Sequence, residues 1–253
     1  MVKRKRHLTL CLFILWGTGV ALFAQEERPQ TIALQFSVLP LGKGNFHKIK
    51  VESEPGLVTE LSFSNLNRSE TINYHGPNPI RFFREKPAPT ESDPKATKRV
   101  VVATYDLSER WDDALLMFKS LPTKNEQKHE FTVLGIDDSP GSFPRGSIIA
   151  INATNIQLIA RMGKERLVIP PGPSPAFSFL PYHEDPLLIS IATDSKDGPK
   201  LLFENSLTFA PDSRVLLIMK PPRKKGSLLL KVYSISEIVD EVITTETPSK
   251  AEP

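Results

Sequence analysis

The chain has 253 residues, with 32 lysines and arginines, 29 aspartates and glutamates, and a single cysteine. This length suffices for one large domain or two small ones. Four of the basic residues and none of the acidic ones fall in the first 24 positions, so the rest of the chain carries 28 basic and 29 acidic side chains. Because the basic excess belongs to the N-terminus, composition gives no argument for nucleic-acid binding by the folded part.

The N-terminus has the pattern of a secretion signal. Four basic residues precede an almost entirely apolar run from Leu8 to Leu22, and the small residue Ala24 stands just before a polar segment. We therefore predict a signal peptide over residues 1–24, cleaved to leave an exported protein in the periplasm or outside the cell. The alternative is an uncleaved anchor, because Leu8 to Ala24 reaches the short end of the roughly 17–25 residues that span a bilayer. Only in that case does the chain contact the membrane.

The single cysteine, Cys11, lies inside the predicted signal peptide. After cleavage the protein has no disulfide, no thiol nucleophile and no thiolate ligand for a metal. An exported protein without disulfides must derive its stability from a hydrophobic core.

The first half of the remaining chain alternates apolar and polar residues with the period of a strand. Turn residues, among them Pro55-Gly56, separate these runs, and Tyr74 to Pro79 reads as a rigid corner. We predict a small β-rich domain over residues 26–85. Its strands include Leu34–Val38, Lys48–Glu52, Leu57–Phe63 and Ile80–Phe83.

Residues 86–98 contain three prolines, several charges and no large apolar side chain. This composition predicts an exposed linker. The linker would separate the small domain from a larger one over residues 99–240.

The larger domain is also predicted to consist of short strands. Asp112 to Phe118 fits a strand or a short helix, and we favour a strand. Ser236 to Ile243 fits a short helix or a continuation of the last strand, and residues 244–253 form a polar tail that we expect to be disordered. The other strands are Arg99–Tyr105, Glu130–Ile136, Ile148–Ile151, Ile156–Met162, Leu167–Ile169, Ala176–Leu180, Leu187–Ala192, Leu201–Phe209, Val215–Met219 and Leu228–Tyr233.

The clearest local pattern runs from Phe143 to Pro173 and predicts three strands. Ile148 to Ile151 has no polar break, as in a strand buried on both faces. Gly163-Lys164 is placed as a hairpin turn, and Pro170-Pro171 ends the pairing because proline donates no hydrogen bond to a β-ladder. Many short strands with frequent turn residues indicate an all-β sandwich, with a second, smaller β-rich domain.

Several short strings carry a family resemblance. They are Gly146–Asn152, Ala153–Asn155, the hairpin at Gly163, Ile169–Gly172 and Arg214–Leu216, together with Tyr74–Pro77, Phe82-Phe83, Asp137–Pro140 and Phe143-Pro144. On these strings the segment from Val101 to Met219 resembles an immunoglobulin-like sandwich of a bacterial envelope type. The order is similar to that in uncharacterised secreted bacterial proteins, and more distantly to that in periplasmic accessory proteins of exopolysaccharide modification. The resemblance implies an immunoglobulin-like antiparallel β-sandwich and an envelope location, and it supplies no catalytic residues.

Three patterns suggest chemistry, and each has a simpler structural explanation. Ser174 lies in a Gly-x-Ser-x-Ala string, but prolines flank it and no helix follows, so a hydrolase nucleophile elbow is not indicated. The acid pairs Asp112-Asp113 and Asp137-Asp138 could act as general acids or bind Ca²⁺. Neither pair has a calcium-loop pattern, and aspartate is a common turn residue. We therefore favour loop solvation and turn capping.

The histidines His47, His75, His129 and His183 are too far apart in sequence for a local metal site. Trp111 is the only tryptophan outside the signal segment. It could stack on a sugar ring, but large aromatic side chains are usually mostly buried, and we expect it to pack at the core or its rim.

We expect an exported, non-enzymatic β-sandwich protein that acts as a cell-envelope interaction or structural module, with no cofactor and no metal. Its partner would be an envelope protein or a polysaccharide, and not nucleic acid. One alternative is a carbohydrate-binding or exopolysaccharide-accessory module, which predicts clustered exposed aromatics. A second is a hydrolase with a spatially assembled carboxylate pair. The candidate interaction loops contain Tyr74, His75, Trp111, Asp137 and Asp138.

Overall fold

A computed structural model describes residues 30–64, 67–89, 93, 95–107, 109–122, 129–196, 198–222 and 229–239. The predicted signal peptide and the polar tail 244–253 lie outside these ranges. The described part contains 17 strands and one short 3-10 helix, Leu180–Tyr182. No helix in it is long and apolar enough to cross a bilayer. The strands are β1 Thr31–Pro40, β2 Lys50–Glu54, β3 Leu57–Glu60, β4 Ile72–Pro77, β5 Ile80–Pro87, β6 Thr97–Tyr105, β7 Asp113–Ser120, β8 Phe131–Asp137, β9 Ser147–Asn152, β10 Leu158–Met162, β11 Glu165–Ile169, β12 Gly172–Pro173, β13 Phe177–Ser178, β14 Leu187–Thr193, β15 Lys200–Leu207, β16 Ser213–Lys220 and β17 Lys231–Ile238.

The strands form four sheets in two sandwiches. The first sandwich packs the sheet β4-β1-β7-β8 against the sheet β3-β2-β5-β6. The second packs the sheet β12-β9-β16-β17 against the sheet β11-β10-β14-β15, with β13 also paired to β9. The prediction of an all-β fold is therefore confirmed, although it describes the sheets as antiparallel throughout. The pairs β1–β7 and β9–β16 are parallel.

The two sandwiches repeat one topology. Replacing β1 to β8, in order, by β9, β10, β11, β12, β14, β15, β16 and β17 converts the strand order of one into that of the other. The central strands also match in sequence: Ala114–Lys119 of β7 reads ALLMFK, and Val215–Lys220 of β16 reads VLLIMK. These two segments hold equivalent positions, because each pairs in parallel with the first strand of its sandwich.

The sandwiches stack through their inner sheets, which we define as the sheets containing β1 and β9. Leu115 and Met117 from β7 and their equivalents Leu216 and Ile218 from β16 are buried in one shared cluster, which also contains Phe143. Both faces of β7 and β16 are therefore covered, once by the partner sheet and once by the other sandwich. The order of layers is outer, inner, inner, outer.

The predicted linker over residues 86–98 is wrong as a domain boundary. Lys86 pairs with Lys98 and Pro87 with Thr97, so this segment forms the end of the β5–β6 hairpin. The core of the first sandwich includes both Phe82 and Val102, on either side of it. Its polar composition reflects a hairpin tip in solvent. The chain instead divides after β8, between residues 137 and 147.

Several local predictions are confirmed. Asp113 to Ser120 is a strand, as favoured. Of the two alternatives for Ser236 to Ile243, the structure shows a continuation of the last strand as far as Ile238, and residues 240–243 lie outside the described ranges. Every residue from Ser147 to Asn152 is buried. Gly163 has φ 58°, a left-handed conformation that favours glycine, and it turns the hairpin between β10 and β11.

Candidate functional site

A cleft opens in the first sandwich where β2 and β5 diverge. These strands pair only at Lys50 and Val51. Beyond that point a cavity of about 430 Å³ lies between them, with β4 forming part of its wall. Its lining residues are Glu52, Glu54, Pro55, Tyr74, His75, Gly76, Pro77, Arg81, Phe83, Arg99 and Val101.

Tyr74 and His75 lie in this wall, but not on a loop. The sequence predicts a rigid corner from Tyr74 to Pro79. This prediction is wrong for Tyr74 to Pro77, because these residues belong to β4 and pair with β1. The Tyr74 side chain is buried, its hydroxyl donates to the Pro77 carbonyl at 2.8 Å, and burial raises its pKa to about 12. Tyr74 is thus a core residue, and only the neighbouring His75 is exposed.

The charges in the cleft are only partly paired. Arg99 lies over the Phe83 ring at 4.6 Å and forms an ion pair with Glu52. The backbone N–H of Gly56 and the Arg99 guanidinium hold the pKa of Glu52 below its usual range. With Phe83 covered and Tyr74 buried, the cleft offers no free aromatic face to a sugar ring.

A shallower recess of about 400 Å³ adjoins the cleft and shares Tyr74 and His75 with it. Glu54 is shared as well, and Asp112 and Asp113 also line the recess. The structure therefore brings one predicted acid pair close to the predicted His75. No group of three or more His, Cys, Asp or Glu in the described ranges is arranged to hold a metal ion.

Trp111 packs at the rim of the first core, as expected. Its ring lies 6.4 Å from that of Tyr105, and both rings sit against Gly135. A Cβ at Gly135 would clash with the Tyr105 hydroxyl, so this glycine creates the space that the two rings occupy. Trp111 is half-buried in this packing and does not form an exposed platform.

The acids Asp137 and Asp138 have different roles. Asp137 caps the turn after β8: its carboxylate accepts from the Ser139 N–H at 3.0 Å and the Ser142 hydroxyl at 2.5 Å. Burial opposes the charge, but these hydrogen bonds outweigh it and hold the pKa of Asp137 below its usual range. This agrees with the capping role favoured from the sequence.

Asp138 belongs to an ion-pair cluster between the two sandwiches. Its carboxylate pairs with Arg68 and, at 3.2 Å, with Arg214. Both guanidinium groups also pair with Glu237 of β17. Because all four side chains are at least three-quarters buried, the cluster fixes how the sandwiches meet and is poorly placed to bind a partner.

Two motif residues also prove structural. The Ser174 hydroxyl accepts from the Ala150 N–H at 3.0 Å and donates to the Pro175 carbonyl at 2.8 Å. Asn152, the strand-ending asparagine of the resemblance, is buried and donates to the carbonyls of Ile156 and Ile169. Both side chains hold local backbone.

The outer face of the first sandwich, on the sheet β3-β2-β5-β6, carries ion pairs beside the cleft. Lys50 of β2 pairs with Glu85 of the neighbouring β5 at 2.8 Å, and Arg99 of β6 reaches over β5 to pair with Glu52 of β2. Its one aromatic residue, Phe83, is 4% exposed because Arg99 covers it. This pattern is typical of a solvated sheet face.

The equivalent outer face of the second sandwich, on the sheet β11-β10-β14-β15, carries a line of apolar side chains. One residue from each strand forms a continuous cross-strand line that we call the apolar row: Val168, Ile159, Ala192 and Leu201. Val168 is 56% exposed and Leu201 is 52% exposed. Leu188, on the same face of β14, is also exposed.

A second line, which we call the charged row, runs beside the apolar row. It consists of Arg166, Arg161, Ser190 and Glu204, in the same strand order. Arg161 on β10 and Arg166 on β11 are directly opposite each other, and like charges at such cross-strand positions are destabilising. Within the described residues neither forms an ion pair, while Glu204 accepts only from the Ser190 hydroxyl at 2.7 Å.

Sequence reasoning missed this face. The strand alternation in β10 places Leu158, Ala160 and Met162 on one side, so Ile159 has to point to the other, polar side. The signal available in the sequence was Ile159, an apolar residue on the polar side of its strand. That this residue belongs to a row across four strands follows only from the pairing register, which the sequence of one strand does not show.

In comparisons with known proteins, no family model matches the chain and no curated protein matches it. The resemblance to secreted bacterial sandwich proteins therefore stays a prediction.

Proposed function

We propose that the chain is an exported, non-enzymatic β-sandwich protein that acts as an interaction or structural module of the cell envelope, with the outer face of the second sandwich as its docking surface. The apolar row carries this proposal. Contiguous exposed apolar surface marks association sites in soluble proteins. In the described strands of the equivalent sheet of the first sandwich, Leu57 at the start of β3 is the only exposed large apolar residue, so no cross-strand row forms there. Export rests on the pattern of residues 1–24, and the immunoglobulin-like character rests on the resemblance.

The aromatic side chains favour this proposal over a glycan-binding module. A sugar platform requires exposed rings, and every Phe, Tyr and Trp in the described ranges is buried or half-buried. The rings that line the cleft between β2 and β5, Tyr74 and Phe83, are both buried. A docking surface made of aliphatic side chains fits a protein partner better than a polysaccharide.

Site-specific photo-crosslinking in cells tests the proposal. A photoreactive residue at Leu201 would lie in the apolar row, and one at Thr104 would lie exposed on the outer face of the first sandwich. We expect a discrete adduct from position 201 and none from position 104. Equal labelling from both positions, or none from either, would contradict a docking role for the second outer face.

A further inference from the structure

The charged row carries a base at one end and an acid at the other, and this polarity restricts which surface can pair with it. Arg166 stands on the edge strand β11 at one end, and Glu204 stands on the opposite edge strand β15. Both side chains are exposed. A surface complementary to this row needs an acid opposite Arg166 and a base opposite Glu204, with apolar groups alongside.

The same face of a second copy meets these requirements. A two-fold axis parallel to the strands, lying between two such sheets, sets β11 over β15 and β10 over β14 of the other copy. Each row then faces the same row. Arg166 faces Glu204 of the second copy, and Val168 faces Leu201 of the second copy. By symmetry both contacts occur twice.

A two-fold axis across the strands does not achieve this. It sets β11 over β11, so it either places arginine over arginine or leaves the ends of the charged row without opposite charges. The charges thus select one of the two ways in which a pair of aligned sheets can pack about a two-fold axis.

We propose that this face pairs with the same face of a second copy of the chain, through the two-fold axis parallel to the strands. The proposal rests on the proposed interaction function and names its partner. The molecule already contains a contact of this kind, since its two inner sheets pack outward-facing apolar residues against each other.

The area of the outer face limits how tightly two copies can associate. Four strands spaced about 4.8 Å apart make a face about 19 Å wide. Such a face covers several hundred Å², below the roughly 800 Å² per partner of a standard stable interface. We therefore expect a dimer that forms with rising protein concentration, not a permanent one.

A charge exchange tests the two-fold geometry. Sedimentation velocity over a concentration series should show the purified wild-type chain passing from monomer to dimer. Arg166→Glu and Glu204→Arg each place like charges at both symmetric contacts, and each should weaken association about tenfold or more. Mixing the two variants restores opposite charges at both contacts, so the mixture should recover the dimer as a heterodimer.

Arg81→Glu is the matched control, because Arg81 is an exposed arginine on the other outer face. It should leave association unchanged, and thermal melts should show all three variants folded. A wild-type chain that stays monomeric, single variants that associate like wild type, or a mixture that stays monomeric would each overturn the two-fold pairing. If Leu201 still crosslinks to another protein in those cases, the interaction function stands. If it crosslinks to nothing, both proposals fail.

Discussion

The two sandwiches share one strand order and differ in the chemistry of their outer faces. In the first, ion pairs cross the strands and Arg99 covers the single aromatic ring. In the second, aliphatic side chains cross the strands and two arginines have no ion-pair partner among the described residues. Because the backbone topology is the same, the difference lies in the side chains alone. A repeated scaffold can thus present a solvated face at one end and a docking face at the other.

The cores of the two sandwiches also differ in their packing. Substitutions at the equivalent residues Phe118 and Met219 can measure this difference. Phe118 lies 4.9 Å from the Phe82 ring and 5.1 Å from the Phe63 ring, centroid to centroid. Phe118→Ala should cost about 3–5 kcal/mol and Met219→Ala about 2–5 kcal/mol, with the aromatic site at the higher end. Urea denaturation measures both. A loss at Phe118 smaller than that at Met219 would contradict the view that aromatic packing dominates the first core.

The cluster between the sandwiches provides the next largest effect. Asp138→Ala leaves Arg68 and Arg214 with less negative charge in a mostly buried site, so we expect a loss of about 3 kcal/mol in unfolding free energy. Asp137→Ala removes only turn hydrogen bonds and should cost about 1 kcal/mol. Equal losses for these two neighbours would show that Asp138 does not hold the sandwiches together.

The titration of Lys220, the equivalent of Lys119 in the second sandwich, should make stability depend on pH. Burial, and secondarily the charge of Lys231, lowers the pKa of Lys220 to about 8 from its usual 10.5. Between pH 8 and 10.5 the unfolded chain therefore binds more protons at this group than the folded chain, and stability rises with pH across that window. Below pH 8 the charged lysine costs stability.

Lys220→Met should remove that rise and add about 1–2 kcal/mol at neutral pH, after allowance for solvent screening and for the Tyr233 ring that faces the ammonium. Lys119→Met should instead lose about 1 kcal/mol, because it removes the 3.0 Å hydrogen bond from Lys119 Nζ to the Ala153 carbonyl. Thermal melts of both variants from pH 7 to 10 provide the measurement. An unchanged slope in Lys220→Met would refute the assignment.

The substitution with the smallest expected effect on stability tests whether Arg99 keeps the first outer face polar. Arg99→Ala should cost no more than about 1 kcal/mol, because its ion pair and ring contact lie at the surface. It should nevertheless uncover Phe83 and make the first outer face bind a fluorescent hydrophobic dye. Arg81→Ala, which covers no ring, is the control. Unaltered dye binding in Arg99→Ala would mean that other side chains keep the first face closed.

Much of the local structure could be predicted from the sequence. Alternation located most of the strands, and a glycine with a lysine marked the hairpin at Gly163-Lys164. The division into domains could not be predicted correctly, since a hairpin tip and a linker share the same polar, proline-rich composition at residues 86–98. Trp111 and Asp137 took the structural roles that were favoured. Asp138 did not, because its partners Arg68 and Arg214 lie 70 and 76 residues away.

The sequence by itself determined which side chains share a face, because a strand turns successive residues to opposite sides. It could not determine which faces are covered. Leu115 and Val168 are both apolar residues in strands, yet Leu115 is fully buried between the sandwiches and Val168 faces solvent. Only the stacking of sheets decides this, since burial depends on contacts between distant segments. The apolar row is visible only when strand register, sheet order and layer order are combined.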